Sequence, residues 1–214
     1  MIRVVVVERE FGAGGGVIAK GIADRLGFRL WDHELTCEIA RRYKCDISAV
    51  EQREEKVDPT FYRLMRVFMR GSYEEQIGGS KLELLDAEQL THMFEKTQLD
   101  LAAKGNAVIV GRGAPWFLRN RPDTFCLFVY APVEEKLRRT TASGVSRAEA
   151  EELLGRIDNE RAAFVKKFFN KNWPCRDLYH LMVNSKFGDE LVIDMVLHQI
   201  EALNNVQAPA LSAR

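Results

Sequence analysis

The stretch Val7-Glu-Arg-Glu-Phe-Gly-Ala-Gly-Gly-Gly-Val-Ile-Ala-Lys20 constrains this chain more than any other: four glycines in five residues, Gly12 and Gly14 to Gly16, separate two strongly patterned segments. Before it, Val4 to Val7 is an unbroken β-branched run, the pattern of a strand buried on both faces. After it, Ile18, Ile22 and Leu26 recur at helical spacing. Glycines at a strand-to-helix junction let backbone N–H groups converge on an anion at the positive end of the helix. As a merely flexible connection they would cost backbone entropy without compensation. The backbone of Gly12, Ala13, Gly14, Gly15, Gly16 and Val17 is therefore the expected phosphate cradle.

Two glycine-loop patterns compete for this stretch. The dinucleotide pattern Gly-x-Gly-x-x-Gly finds Gly12 and Gly14 but Val17 in the third place, with the acidic Asp32 about twenty residues on. Glu8 to Phe11 read as a four-residue spacer before Gly12, which suits a mononucleotide cradle better than the dinucleotide turn. Against Gly-x-x-x-x-Gly-Lys-[Ser/Thr], residues 9 to 16 match only at Gly14; Gly15 stands in the lysine place and Gly16 in the hydroxyl place.

The rest of the chain alternates strand and helix patterns. Strands are expected at Phe28 to Trp31, Ala107 to Val110, Phe125 to Tyr130 and Leu181 to Val183, with Gly27 ending the first helix as a C′ glycine. Helical spacing runs through Leu82 to Ala103, Val133 to Thr140 and Leu191 to Leu203, and Ser146 with Glu149 forms a capping box for a long helix towards Phe169. Glu34 to Phe68 reads as an interrupted helical insert and Arg70 to Ser80 as a mobile glycine-bearing loop. The aromatic and basic stretch Phe61 to Arg70 has its apolar residues at helical spacing, which predicts core packing or a homodimer face. A frayed tail is expected from Asn204. This order implies an α/β domain over 1–203, a mostly parallel sheet with helices on both faces.

Composition excludes several classes of function. Lysine plus arginine and aspartate plus glutamate both number 31, so no net positive field draws in nucleic acid or an anionic membrane. The longest apolar runs fall far short of the ~20 residues of a spanning helix, and no basic segment precedes a long apolar stretch at the N-terminus. The four cysteines and four histidines lack metal-site spacing, so we expect reduced thiols, a cytoplasmic protein and no transition metal on protein ligands.

Arg9-Glu-Phe-Gly-Ala-Gly-Gly15, Trp31-Asp-His-Glu-Leu35, Val110-Gly-Arg-Gly113, Ala131-Pro-Val-Glu-Glu-Lys-Leu-Arg-Arg139, Asp158-Asn-Glu-Arg161 and Asp177-Leu-Tyr-His-Leu-Met-Val-Asn184 together resemble the cytidylate kinase-like family of P-loop proteins, over nearly the whole chain. The resemblance implies the nucleoside monophosphate kinase fold: a five-stranded parallel core, a helical insert that grips the acceptor nucleotide, and a lid, about 140–176, carrying arginines. It further implies ATP with Mg²⁺ as donor, nucleotides as the small-molecule partners, Arg112 on the acceptor monophosphate, and Asp32 and Asp158 near the acceptor. Independently of it, Arg112 follows an expected strand into the loop at a carboxyl strand end, where ligands of open α/β sheets bind. Asp32 equally suits a helix N-cap, and His33 stands where cytidylate kinases tend to carry serine.

Arg138, Arg139, Arg147, Arg156 and Arg161 fall where lid arginines would, with Arg156 and Arg161 the candidates to close over phosphate. Solvated ion pairs with Glu151, Glu152 and Glu160 are the alternative. The charge absent from Gly15 is expected from Arg9 in the same loop, with Lys20 a poorer candidate one turn into the helix. Without the loop hydroxyl, Mg²⁺ is expected to be held mainly through nucleotide phosphates and water, with Asp32 or Glu10 as carboxylate candidates. A nucleotide sensor without turnover, and a dehydrogenase of the dinucleotide type, are the competing function classes.

Overall fold

The computed structural model describes residues 1–32, 34, 35, 38, 42 and 87–207. His33, most of the expected insert, Phe61 to Arg70 and the Arg70 to Ser80 loop lie outside the described residues.

The elements are β1 (Val4–Arg9), α1 (Gly15–Leu26), β2 (Arg29–Trp31), α2 (Ala87–Lys104), β3 (Ala107–Val110), α3 (Ala114–Phe117), β4 (Thr124–Tyr130), α4 (Val133–Thr141), α5 (Arg147–Phe169), β5 (Leu181–Asn184) and α6 (Asp189–Gln207). Five parallel strands lie in the order β2-β3-β1-β4-β5. β1 is central, every one of its residues is buried, and the expected α/β architecture with helices on both faces is present.

Alternation along β1 sorts the core into two layers. Val4 and Val6 face a cluster with Trp31, Phe94, Ile109, Cys126 and Phe164, while Val5 and Val7 face Ile18, Ile22, Val110, Leu127, Val192 and Val196. α1 and α6 cover the second face, and they approach so closely that a Cβ on Gly21 would run into Ile193. A third, smaller cluster of Leu137, Ala150 and Leu154 ties α4 to α5.

Local stop and start signals act as read. Gly27 ends α1 at φ 65°, its N–H reaching the Ala23 and Asp24 carbonyls, and Ser146 Oγ caps α5 by accepting from Glu149 N–H at 3.3 Å. Pro132 is the N-cap of α4.

Two boundaries move. β1 continues through Glu8 and Arg9, which pair with Phe128 and Val129 of β4, so only Glu10 and Phe11 precede Gly12. The four-residue spacer is thus two residues, and the length argument against a dinucleotide turn falls. At the other end α6 passes Asn204 and runs to Gln207, because the Asn204 amide oxygen accepts from Ile2 N–H at 2.5 Å and ties the helix to the start of β1. Residues 208–214 lie outside the described residues.

Candidate functional site

The carboxyl ends of β1 and β3 bring two loops together at the top of the sheet. In the first, Gly12 (φ 75°) and Gly14 (φ 78°) take left-handed backbone, and Gly14 caps α1 without a side chain. No acidic residue stands in the first turn of α1, so the helix presents its N–H groups and positive end uncompensated by its own side chains. Ala13 and Gly15 point inward and are buried, and Val17 is half exposed on the outer side.

The loop is held from outside by three elements. Gly12 packs on α4, where a Cβ would meet the Lys136 carbonyl and Thr140 Oγ1 at 3.0 Å. The Arg139 guanidinium lies over Gly14, fixed by Glu135 (Nε, 2.8 Å), Asp189 (Nη1, 3.0 Å) and the Ser185 carbonyl (Nη2, 3.2 Å). Ser185 Oγ donates to the Ala13 carbonyl at 2.7 Å.

α5 supplies a second layer of charge. Asp158 Oδ1 accepts from Phe11 N–H at 2.9 Å, and Arg161 Nη1 donates to the Arg9 carbonyl at 2.9 Å and to Asp158 at 3.0 Å. Lys136 Nζ donates to Glu10 at 2.9 Å and stands 3.9 Å from Asp158 Oδ2. Glu8 Oε1 accepts from Arg9 N–H at 3.1 Å and faces Arg9 Nη1 at 3.5 Å, both side chains buried. Three cations, Arg9, Lys136 and Arg161, are thereby matched by three carboxylates, Glu8, Glu10 and Asp158. Burial, then the like charge of Arg9, pulls Arg161 down to about 10 against Asp158 and Glu8. Burial likewise raises the Asp158 carboxyl above its usual range, opposed by Arg161, the Phe11 N–H and Lys136.

In the second loop, Gly111 (φ 61°), Arg112 (φ 54°) and Gly113 (φ 75°) are three consecutive left-handed residues. Such a turn is costly for arginine, roughly 1–2 kcal/mol, and is held by Gln98 Nε2, which donates to the Arg112 carbonyl at 2.8 Å. The Arg112 guanidinium donates to the Asp32 carbonyl and lies 3.4 Å from its carboxylate, with both side chains buried. Asp32 also accepts from Leu35 N–H through its carbonyl at 3.2 Å.

The sequence matches the cytidylate kinase-like family over residues 4–186. The chain belongs to that family. Among solved structures, an uncharacterized protein from Eubacterium ventriosum superposes with a TM-score of 0.67 at 19% identity, covering 94% of this chain and 99% of that one. The shikimate kinase from Bacteroides thetaiotaomicron gives 0.52 at 16% identity, with 94% and 99% covered. That from Acinetobacter baumannii, in complex with shikimate, gives 0.50 at 16% identity, with 94% of both chains covered. At these identities the likeness is one of fold. No match was found among curated protein sequences.

The structure gathers Arg9, Gly12 to Val17, Asp158 and Arg161 around the first loop, and Asp32 with Arg112 at the second. Arg156 is not brought to either: it is partly exposed on α5, 3.9 Å from Glu160. Arg138 and Arg147 are exposed; Arg147 pairs with Glu151, as the solvated-pair alternative has it, and also with Glu134, while Arg138 pairs with Glu135, which that alternative did not name. Lys20 is likewise at the surface with Asp24 at 2.6 Å. Glu10 is engaged by Lys136 and Asp32 by Arg112, and among the described residues no group of three or more metal-ligating side chains forms a cage. None of the described helices is long and apolar enough to cross a membrane.

Sequence reasoning passed over Glu8, Lys136 and Ser185. Glu8 had a signal in principle, as it continues the Val4, Val6 alternation of a buried strand. Lys136 lies within the quoted 131–139 segment but nothing there tells of its partner, and Ser185 had no signal, since the contacts of both come from elements far apart in the chain.

Proposed function

We propose that this protein transfers the γ-phosphoryl group of ATP to a nucleoside monophosphate, cytidylate being the first acceptor to test. The observation that carries the reading is the Arg9 side chain, which starts beside the β1–α1 loop and ends against Gly111, joining a polyphosphate cradle to the loop that displays Arg112. Phosphoryl transfer asks a protein mainly to align donor and acceptor and to neutralise the charge between them. In this reading the amides of Gly12 to Val17 hold the donor phosphates. Arg112 leaves Asp32 and forks onto the acceptor phosphate, and Arg9, Arg161 and, after closure of α5, Arg156 face the transferred group. An oxygen of the acceptor phosphate attacks the γ-phosphorus, the bond to the β–γ bridging oxygen breaks, and ADP leaves with those electrons. Mg²⁺ arrives on ATP and is held through phosphates and water.

A nucleotide sensor is the second reading, favoured by Gly15 and Gly16 in the lysine and hydroxyl places and by the even match of cations and carboxylates. Incubation with ATP, Mg²⁺ and CMP, UMP, AMP or GMP decides between them. Equal amounts of ADP and one nucleoside diphosphate are expected. Nucleotide-induced stabilisation without diphosphate product would establish the sensor instead, and binding of neither would remove both readings.

A further inference from the structure

Gly15 stands in the lysine place of the phosphate-loop pattern, and strand geometry supplies a steric reason. Alternation along β1 turns Arg9 onto the α1 face, after Val5 and Val7, so its stem runs across the first residue of α1. A Cβ on Gly15 would lie 2.6 Å from Arg9 Cβ and 2.7 Å from Arg9 Cγ. Those atoms are close to the backbone of a central strand and cannot swing aside as the far end of a side chain could. The guanidinium ends at the β3–α3 loop, where a Cβ on Gly111 would collide with Nη1 and lie 3.7 Å from Glu8 Oε1. Gly15 at the start of α1 and Gly111 in the β3–α3 loop thus form one seat for a single side chain, and Glu8 accepts from Arg9 at both its backbone N–H and its Nη1.

From this geometry we infer that Arg9 and a loop lysine are alternative occupants of one space, and that this protein carries its phosphate-loop cation on the last residue of β1, seated by Gly15 and Gly111 and positioned by Glu8. The inference rests on the phosphoryl-transfer reading for its chemistry but not for its sterics. The exchange has a chemical consequence. A lysine offers one compact charge to the β and γ oxygens, whereas a guanidinium held by Glu8 offers a planar fork that reaches towards the Arg112 loop and so lies between donor and acceptor.

Two measurements test it. The first is a stability cycle in urea without ligand. Gly15→Ala is expected to lower the unfolding midpoint clearly in the wild-type background and much less in an Arg9→Gly background, where the Cβ and Cγ that crowd residue 15 are both gone. Equal losses in both would overturn the shared space. The second combines calorimetric MgATP binding with turnover on the best acceptor. Arg9→Ala should lower kcat by about 10²–10³-fold, the loss typical of one transition-state donor. Arg9→Gly, which also removes the Cβ that crowds residue 15, should lose as much, and adding Gly15→Lys to it should recover at least about tenfold, while Gly15→Lys alone should fold poorly. Glu8→Gln should lower kcat more than it weakens MgATP binding, the mark of a residue acting through Arg9. A folded double variant no better than Arg9→Gly, or Arg9→Ala at the wild-type rate, would overturn the cation assignment. If the wild type binds no nucleotide, the proposed function fails while the stability cycle still decides the shared space.

Discussion

The β1–α1 loop and the β3–α3 loop each display a buried arginine at the top of the same sheet, and they hold it by opposite means. Arg9 sits on regular strand backbone, is answered by the adjacent Glu8, and has its space cleared by glycines. Arg112 is itself in the left-handed region, and its anchors, Asp32 and Gln98, come from elements 80 and 14 residues away. The Arg9 side chain takes its direction from strand alternation, has a carboxylate next door, and is given room in the β3–α3 loop by Gly111. Arg112 takes polar anchors from the residue after β2 and from α2, so its position depends on distant elements through bonds and that of Arg9 through cleared space.

The largest expected effect follows from that difference. Arg112→Ala breaks a buried ion pair with Asp32 from one side, a change that costs about 3–5 kcal/mol. Arg9→Ala leaves Glu8 still accepting from the residue-9 backbone N–H, so its loss should be nearer the roughly 1–3 kcal/mol of an incompletely satisfied polar group. Unfolding of both variants in urea checks the order. Equal losses, or a greater one for Arg9→Ala, would break the distinction between the loops. Removing both partners, as in Arg112→Met with Asp32→Leu, should restore much of the stability that the single change removes.

A smaller effect probes why the first loop keeps its shape. Gly14 and Gly27 share nearly the same left-handed backbone, but Gly27 has nothing within 4 Å of an added Cβ, whereas at Gly14 the Cβ would enter the Arg139 guanidinium. Gly27→Ala should therefore show the backbone penalty alone, about 1–2 kcal/mol, and Gly14→Ala should cost more. In an Arg139→Ala background the gap should narrow to what Asp189 Oδ1, 3.1 Å from the added Cβ, still imposes. If the gap does not narrow there, the loop is shaped by something other than the overlying arginine.

How far these arrangements could be read beforehand depends on the range over which each is determined. The strands and helices were legible because β-branched runs and 3.6-residue spacing are local signals, as in Val4 to Val7 and Ile18 to Leu26. The end of β1 was misread because Glu8 and Arg9 look like loop residues. They belong to the ladder because β4 extends alongside them, with Glu8 opposite Phe128 and Arg9 opposite Val129. The glycine cluster announced a cradle, but nothing near it in sequence announces that Asp158, 147 residues on, accepts from Phe11 N–H. Lys136 is a further case: its neighbours in sequence make it one more charge on an amphipathic helix, and only the packing of α4 against Gly12 brings its ammonium to Glu10. Conversely, of the five arginines before β5 the pattern singled out Arg156 and Arg161, whereas packing puts Arg139 and Arg161 on the loop, Arg138 and Arg147 in exposed pairs, and Arg156 beside the buried Glu160.

The smallest effect is one of pH, and it separates the two arginines that share Glu135. Hydrogen bonds from Arg138, and then from Arg139, hold the Glu135 carboxyl down at about 2. A carboxylate whose folded pKa is depressed adds stability above its ordinary unfolded value of 4.5, and that contribution is lost as pH falls from there towards 2. The stability difference between wild type and Glu135→Gln should thus be constant above about pH 5 and shrink below it. Arg138 donates from the solvent-exposed side, whereas Arg139 also lies over Gly14. Arg138→Ala should therefore remove most of this acid dependence while nucleotide affinity stays as it was. Arg139→Ala should remove less of it and weaken nucleotide binding, because Gly14 then loses its cover. Finding both consequences in the Arg138 variant would show that the acid-sensitive pair, and not the overlay on Gly14, holds the cradle in shape.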